Sequence, residues 1–501
     1  MNLAAVIDGH DPEATALISR NRPTTYGALS EQIDRLRGGL ASIGVSDGDR
    51  VALLCSNSRH FVVTYFATLG LGAVAVPLNP LSPAPELEAE IASVGAKVVV
   101  IEKLSTATWG NVSRDAVASV ETVISCDATS APDGALAFDE LLASEPVERV
   151  DVDPDHLATL IFTSGTAGKP RAAMLTHANL LANLEQSHSA EDHVSEGDVI
   201  YTVLPLFHIF GLNVAMTMGL SVGATVLLVQ RFDPSTAIES ITERGVTVLP
   251  GSPSMWTAFA HFNELNGSEF ANIRLALSGA SRLPIDTAKL MRTRFGVELC
   301  EGYGLTEASP IVTSSIGAPV RFGSVGRVLD GVRVRLVNDD GDIPPGDVGE
   351  IWVQGPNVFA GYFLDADATD AVLTDDGWLK TGDMATLDDD GYLWLVDRAK
   401  DLVIVSGFNV FPAEVEDVLS AHGDVVEAGV IGVPHPHTGE AVKAFVVTVS
   451  GSDVDEESLR EFCLDHLARY KCPNKIMFVD ELPRNTTGKL VRRRLLDEQI
   501  F

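Results

Sequence analysis

Cysteine is scarce and scattered in this 501-residue chain. Cys55, Cys126, Cys300, Cys463 and Cys472 form no CxxC pair and are too dispersed for a disulfide framework. That argues against a zinc site or a dithiol redox motif and fits a reducing cytoplasm. Basic residues are also few, 36 against 69 acidic, for a formal charge of −33. Such a surface repels nucleic acid and anionic lipid, so a nucleic-acid-binding role is disfavoured; solubility alone is the bland reading of the charge. A basic leader is missing too: the stretch from Met1 to Ala14 carries acids where a signal peptide needs positive charge. Unbroken membrane-length apolar runs are absent. Phe61–Pro85 and Tyr201–Gln230 hold no charge and exceed the ~20 residues that span a bilayer. Gly70, Gly72, Pro77 and Pro80 break the first; Pro205, Gly211, Gly219 and Gly223 break the second. Buried strand–helix–strand units are expected instead.

What is present is a globular composition, 46% hydrophobic and 21% charged, with a length prior of about three domain-sized units. From residue 50, short apolar runs alternate with amphipathic ones. Arg50–Cys55, Ala73–Leu78 and Lys97–Glu102 read as strands around helices Arg59–Leu71 and Pro85–Val94. Leu157–Phe162, Ala224–Val229, Val246–Leu249, Leu275–Ser278 and Val297–Cys300 read as further strands, with helices Pro234–Arg244 and Pro284–Phe295 between them. The alternation predicts parallel α/β sheets, more than one. After about Ile311 short β runs between Gly and Asp turns predict a β-rich subdomain. From Asp401, strands mix with helices Pro412–His422 and Glu456–Leu467, as in a compact α+β domain of about 100 residues.

Thr163-Ser164-Gly165-Thr166-Ala167-Gly168-Lys169-Pro170 follows a predicted strand. Glycines let backbone N–H groups converge on an anion, and hydroxyls and a lysine add donors. Pro170 stands where a Walker A loop needs Ser or Thr, so this is another kind of phosphate loop, or an ordinary turn. Further along come Leu204-Pro-Leu-Phe-His208-Ile-Phe-Gly, Ser278-Gly279-Ala280-Ser281, Glu301-Gly302-Tyr303-Gly304-Leu305-Thr306-Glu307, Thr381-Gly382-Asp383, Asp397-Arg398-Ala-Lys400-Asp401, Ser406-Gly407-Phe408-Asn409 and Pro483-Arg-Asn-Thr-Thr-Gly488-Lys489. Lysine is rare, ten against 26 arginines, yet Lys169, Lys400 and Lys489 all fall inside these strings.

In this order, over essentially the whole chain, the strings closely resemble the motifs of the adenylate-forming superfamily, in its acyl-CoA synthetase branch. The resemblance implies a large N-terminal domain, residues 1–399, of two stacked α/β subdomains plus a β-rich subdomain. It implies a small mobile α+β C-terminal cap, residues 400–501, hinged at Lys400. ATP phosphates would sit on Thr163, Ser164, Gly165, Thr166, Gly168 and Lys169. Adenine and ribose would meet Gly279, Ala280, Ser281, Gly302, Tyr303, Asp383 and Arg398. Thr306 offers a hydroxyl to phosphate, and Glu307 a carboxylate to Mg2+. His208, Ser278 and Gly304 would border the acyl group, Ser406, Gly407 and Phe408 the CoA arm, and Lys489 the reacting carboxylate. Two loop positions depart from the family, Arg171 for Lys and Ala172 for Gly; Glu301 stands where Gln is more frequent.

The implied enzyme is a ligase that activates a carboxylic acid with ATP and Mg2+ and passes the acyl group to CoA, releasing AMP and pyrophosphate. Acetate-specific members carry Trp at the position of Gly304, so a larger acid is expected: a medium- or long-chain fatty acid first, an aryl or arylpropenoic acid second. A carrier-protein acceptor and, remotely, a non-catalytic nucleotide- or acyl-binding protein are the other readings. Partners are thus small molecules, with no nucleic acid and no integral membrane span; oligomeric state stays open, a homodimer among the options. The segment Arg469–Arg494 holds eight basic and two acidic residues, a local positive charge expected to suit anionic ATP and CoA.

Overall fold

A computed structural model describes residues 1–163, 171–262, 265–338, 341–398, 401–405, 408–436, 438–485 and 488–497. The alternation after residue 50 becomes two large sheets. One has seven strands, ordered Leu136–Ala137, Thr122–Ser125, Val98–Ile101, Arg50–Leu54, Val74–Pro77, Leu157–Thr163, Arg171–Thr176. The other has nine, ordered Arg327–Val328, Ile311–Ser314, Leu299–Gly304, Leu275–Ser278, Val248–Gly251, Val199–Thr202, Thr225–Leu228, Thr15–Ser19, Arg22–Thr25. Helix Arg59–Gly70 explains the first uncharged run. Ser58 Oγ caps it by accepting from Phe61 N at 3.2 Å, and every residue from Phe61 to Gly70 is buried. It shares one hydrophobic cluster with inward residues of both sheets, including Leu17, Leu53, Val100, Ile200 and Leu275. A helix apolar on all sides is what a layer between two sheets requires. Among the described residues no helix is long and apolar enough to cross a membrane.

The second uncharged run folds as strand Val199–Thr202, a π-helix Phe210–Thr217 and strand Thr225–Leu228. A π-helix was not expected; such irregular turns gather at functional sites. Strand Thr15–Ser19 inserts beside Thr225–Leu228, some 200 residues distant, and pairs parallel to it. The outer strand Arg171–Thr176 pairs antiparallel to Leu157–Thr163. The β-rich subdomain begins later than expected, because Ile311–Ser314 and Arg327–Val328 extend the nine-stranded sheet. Its five strands are ordered Gly341–Asp342, Arg333–Asn338, Gly349–Gln354, Leu379–Leu387, Leu393–Arg398.

The smaller C-terminal domain is α+β. Strands Phe408–Val410, Val403–Val405, Gly439–Thr448 and Val425–His435 form its sheet, with Lys475–Phe478 paired to Gly439–Thr448. Helices Pro412–Ser420 and Glu456–His466 contribute Val415, Leu419, Leu459 and Cys463 to its core. The basic C-terminal segment is not a free positive patch. Lys471 pairs with Glu414 at 2.6 Å and Lys475 with Glu456 at 3.1 Å. Arg484 pairs with Glu427, and Arg492 with Glu416 at 2.9 Å.

Candidate active site

The strand ends of the large sheets and one loop of the small domain converge on a cavity of about 620 Å3. Ligands collect at the carboxyl ends of parallel strands, where the loops diverge. Ser278, Gly279 and Ala280 reach the cavity from the end of strand Leu275–Ser278, and Gly302, Tyr303 and Gly304 from strand Leu299–Gly304. Thr306 and Glu307 follow in a 3-10 turn. Phe162, Thr163 and Arg171 bring in the seven-stranded sheet. The expected phosphate contacts Ser164, Gly165, Thr166, Gly168 and Lys169 lie outside the described residues, as do Lys400, Ser406 and Gly407.

Several local features mark the strand ends that border the cavity. Ala280 holds φ at 71°, a left-handed conformation costly for any residue with a Cβ and concentrated at functional sites. Ser278 Oγ is buried with no hydrogen-bond partner among the described residues. Gly304 has a reason beyond pocket size. A Cβ there would stand 2.1 Å from the Pro310 carbonyl oxygen and 2.8 Å from its carbon. The close approach of two backbone segments demands glycine, so Gly304 reports strand packing as well as room for the acyl group.

His208 precedes the π-helix and lines the cavity together with Phe210 and Val214. Its Nδ1 accepts from the Phe210 N–H at 3.3 Å. The ring proton therefore sits on Nε2. Burial and the positive charge of Lys489 lower its pKa to about 4, so the ring is neutral at pH 7 and Nε2–H is a donor. Glu307 Oε1 accepts from the Tyr362 hydroxyl at 2.7 Å. Burial and that carboxylate raise the Tyr362 pKa, so its proton stays in the bond. Arg171 lies over the Tyr362 ring at 5.6 Å and pairs with Asp365 at 3.2 Å. The Tyr303 hydroxyl donates to Asp383 Oδ2 at 2.7 Å. Asp383 is buried at the cavity edge beside Thr381 and Gly382, which line it.

The small domain supplies Asn485 and Lys489 to the same cavity. Their loop is closed by Asn485 Oδ1 accepting from Lys489 N at 2.8 Å and by Asn485 N donating to Lys489 O at 2.9 Å. Gly488, at φ 81°, rests so close to the large domain that a Cβ would stand 2.7 Å from Ser254 Oγ. Arg282 pairs with Asp417 at 2.9 Å across the same junction.

Not every expected residue joins. Phe408 is exposed on the small domain, stacked on Tyr470 at 4.8 Å, and does not line the cavity. Ser281 does not line it either. Arg398 pairs with Asp383 across neighbouring strands, and its side chain lies outside the described atoms. Glu301 is absent from the lining, whereas its neighbours Cys300 and Gly302 are present, as strand alternation dictates. Sequence reasoning missed Tyr362 and Glu90. Glu90 is a buried carboxyl on the wall, pushed up to about 8 by burial and Glu86. No local pattern marks either residue.

A sequence model of the AMP-binding enzyme family matches residues 6–363, and one of its C-terminal domain matches residues 414–489. The chain belongs to this family. The long-chain-fatty-acid–CoA ligase of Yersinia pestis is 36% identical, with 97% of this chain and 92% of the relative covered. A feruloyl-CoA synthase of Amycolatopsis is 37% identical, with 96% of each covered. The ATP-bound structure of MatB from Rhodopseudomonas palustris superposes with a TM-score of 0.92 at 34% identity, covering 99% of both chains. The chain is thus an AMP-forming acyl-CoA synthetase of the adenylate-forming superfamily, a ligase that uses ATP and CoA as substrates. Among the ligase's described residues no group of three or more His, Cys, Asp or Glu side chains could hold a metal. A divalent cation brought in with the nucleotide would draw on Glu307, beside Thr306, and complete its shell with phosphate and water oxygens. Mg2+ on a nucleotide is commonly held that way.

Proposed function

We propose that this ligase activates a carboxylic acid of medium length with a mainly apolar body, a medium-chain fatty acid or an arylpropenoic acid. The observation that carries the reading is one continuous cavity. It joins the donors His208 and Lys489 to apolar walls at Val214, Met218, Ile311 and Ile316. Cys300 and Ile316 also line an adjoining groove with Asp192, Arg274 and Glu298. A longer alkyl tail would have to pass that wall into charge, which limits chain length. The arylpropenoic reading draws specific support from the likeness to a feruloyl-CoA synthase.

The carboxylate oxygen attacks the α-phosphorus, the bond to the β-phosphate oxygen breaks, and pyrophosphate leaves. Lys489 bonds the attacking carboxylate and the bridging oxygen, stabilising charge as it develops. His208 Nε2–H orients the carboxylate. Asp383, held by Tyr303, accepts from the ribose hydroxyls. Thr163, Thr306 and the loop to Lys169 cradle the phosphates, and Tyr362 aims Glu307. Glu307 would hold Mg2+, which neutralises triphosphate charge when bound. In the second step the thiol sulfur of CoA attacks the acyl carbon, its proton goes to solvent, and AMP departs.

Lys489 serves only the first step and stands in the thiol's way in the second. The small domain, residues 400–501, therefore turns about Lys400 between steps and brings Ser406, Gly407 and Phe408 to the pantetheine arm. The exposed position of Phe408 supports this division. The test is a panel of acids with ATP, Mg2+ and CoA, following AMP and thioester together. Octanoate or cinnamate should be turned over far better than acetate. AMP without thioester would redirect the acceptor to a carrier protein; no AMP from any acid would refute the reading.

A further inference from the structure

The proposed acyl cavity is apolar along its sides but not at its far end. Its near end is fixed by Ser278 and Gly304 at the carboxyl ends of their strands. The far end contains His193, where the cavity meets the adjoining charged groove: its neighbour Asp192 lines that groove, and its carbonyl accepts from the side chain of Arg274, another groove residue, at 2.9 Å.

His193 Nδ1 lies 2.8 Å from the Ala190 carbonyl oxygen. A carbonyl only accepts, so Nδ1 carries the proton and the neutral ring presents Nε2 as an acceptor. Among the described residues Nε2 has no partner. Behind it His188 packs ring to ring at 5.7 Å, its own Nε2 buried and unpartnered. The Cys300 thiol, which burial holds protonated, also lines this cavity and is only a weak donor. A terminal methyl or an unsubstituted ring would leave the His193 nitrogen desolvated and unpaired.

We propose that His193 is a specificity-determining residue. It accepts a hydrogen bond from a hydroxyl at the far end of the acid, where the cavity meets the charged groove. The shared chemistry is a distal O–H donor, borne by a phenol on an arylpropenoic acid or by the terminal carbon of an alkanoic acid. The inference rests on the reading of this cavity as the acyl site.

Matched pairs test it: 4-hydroxycinnamate against cinnamate, and 8-hydroxyoctanoate against octanoate, each with ATP, Mg2+ and CoA. In at least one pair the hydroxylated acid should be preferred about tenfold in kcat/KM, the worth of one buried hydrogen bond. Whichever pair shows it identifies the source of the hydroxyl. His193→Phe should bring that ratio near one, and an unchanged thermal melting midpoint shows that the variant folds. His193→Gln keeps an acceptor and should restore part of the preference. Equal use of both members of both pairs by the unmodified protein, or an unchanged ratio in His193→Phe, overturns this inference alone. No AMP from any acid overturns the acyl-site reading with it.

Discussion

Glu301→Gln should stabilise the large domain, and the gain should grow with pH. Glu301 is buried on the face of its strand that points away from the cavity. The Arg282 charge and the backbone N–H groups of Gly323 and Leu283 favour its ionised form. Burial outweighs these and raises its pKa from 4.5 to about 7. The folded protein thus keeps a proton that the unfolded chain releases between pH 4.5 and pH 7. The unfolded state binds fewer protons in that window, so stability falls as pH rises through it and is level on either side. At 1.36 kcal/mol per pKa unit, the loss between pH 5 and pH 8 is about 2.5 kcal/mol. Glutamine copies the shape of the neutral acid and has no proton to lose. Urea unfolding of both proteins at pH 5, 6, 7 and 8, followed by tryptophan fluorescence, gives the difference in stability. Trp256 is fully buried in the core cluster shared with Leu299, on the same strand as Glu301. Every other titration cancels in that difference. Parallel profiles for the two proteins would refute the argument, because burial would then not be taxing the ionised form.

Lys489→Ala should lower adenylation from ATP ~100-fold or more, the usual loss for one charge-stabilising donor, and spare thioester formation from preformed acyl adenylate; equal loss in both half-reactions would remove the division of labour. Gly304→Ala drives a Cβ against the Pro310 backbone and should cost about 1–3 kcal/mol in thermal or urea stability, with activity on small and large acids falling together. A size-selective effect would instead restore a pure pocket-volume role. Tyr362→Phe removes the hydroxyl that holds Glu307 and should raise KM for ATP several-fold, as loss of ~1 kcal/mol implies, while KM for the acid stays put.

The sheets were most legible where a strand is a short apolar run. Arg50–Leu54, Val74–Pro77 and Val98–Ile101, apolar throughout except at Arg50, fall within two residues of expectation, since a strand covered on both faces needs no polar alternation. Thr15–Ser19 was invisible because its reason for being a strand is Thr225–Leu228, far along the chain; local propensity carries no trace of such a partner. Arg171–Thr176 was hidden by its alanines, which favour helix in isolation. Of the residues inside motif strings, Ser278, Tyr303, Glu307 and Lys489 line the cavity while Ser281 and Phe408 do not; Tyr362 and His193 stand outside any motif and reach it only through folding. The basic C-terminal segment misled for a related reason. Charge counted along a chain says nothing of which acids fold against it, and here those acids are Glu414, Glu416, Glu427 and Glu456.

That neutralisation bears on how the small domain meets the large one. With Lys471, Lys475, Arg484 and Arg492 paired inside the domain, they do not act as a broad positive field that clamps it onto bound nucleotide. The contacts seen across the junction are local: Arg282 with Asp417, Gly488 against Ser254, and the Ala413 N–H donating to Asp397 at 2.8 Å. A half-exposed ion pair of this kind is worth about 0–1 kcal/mol, and a junction of such contacts can be released and remade. Tight docking would trap Lys489 in the cavity and block the thiol; no docking would lose the charge stabilisation of the first step. On the proposed mechanism a weak junction that delivers the Lys489 charge to the reacting carboxylate serves both steps, because substrate charge itself then decides when the domain is closed.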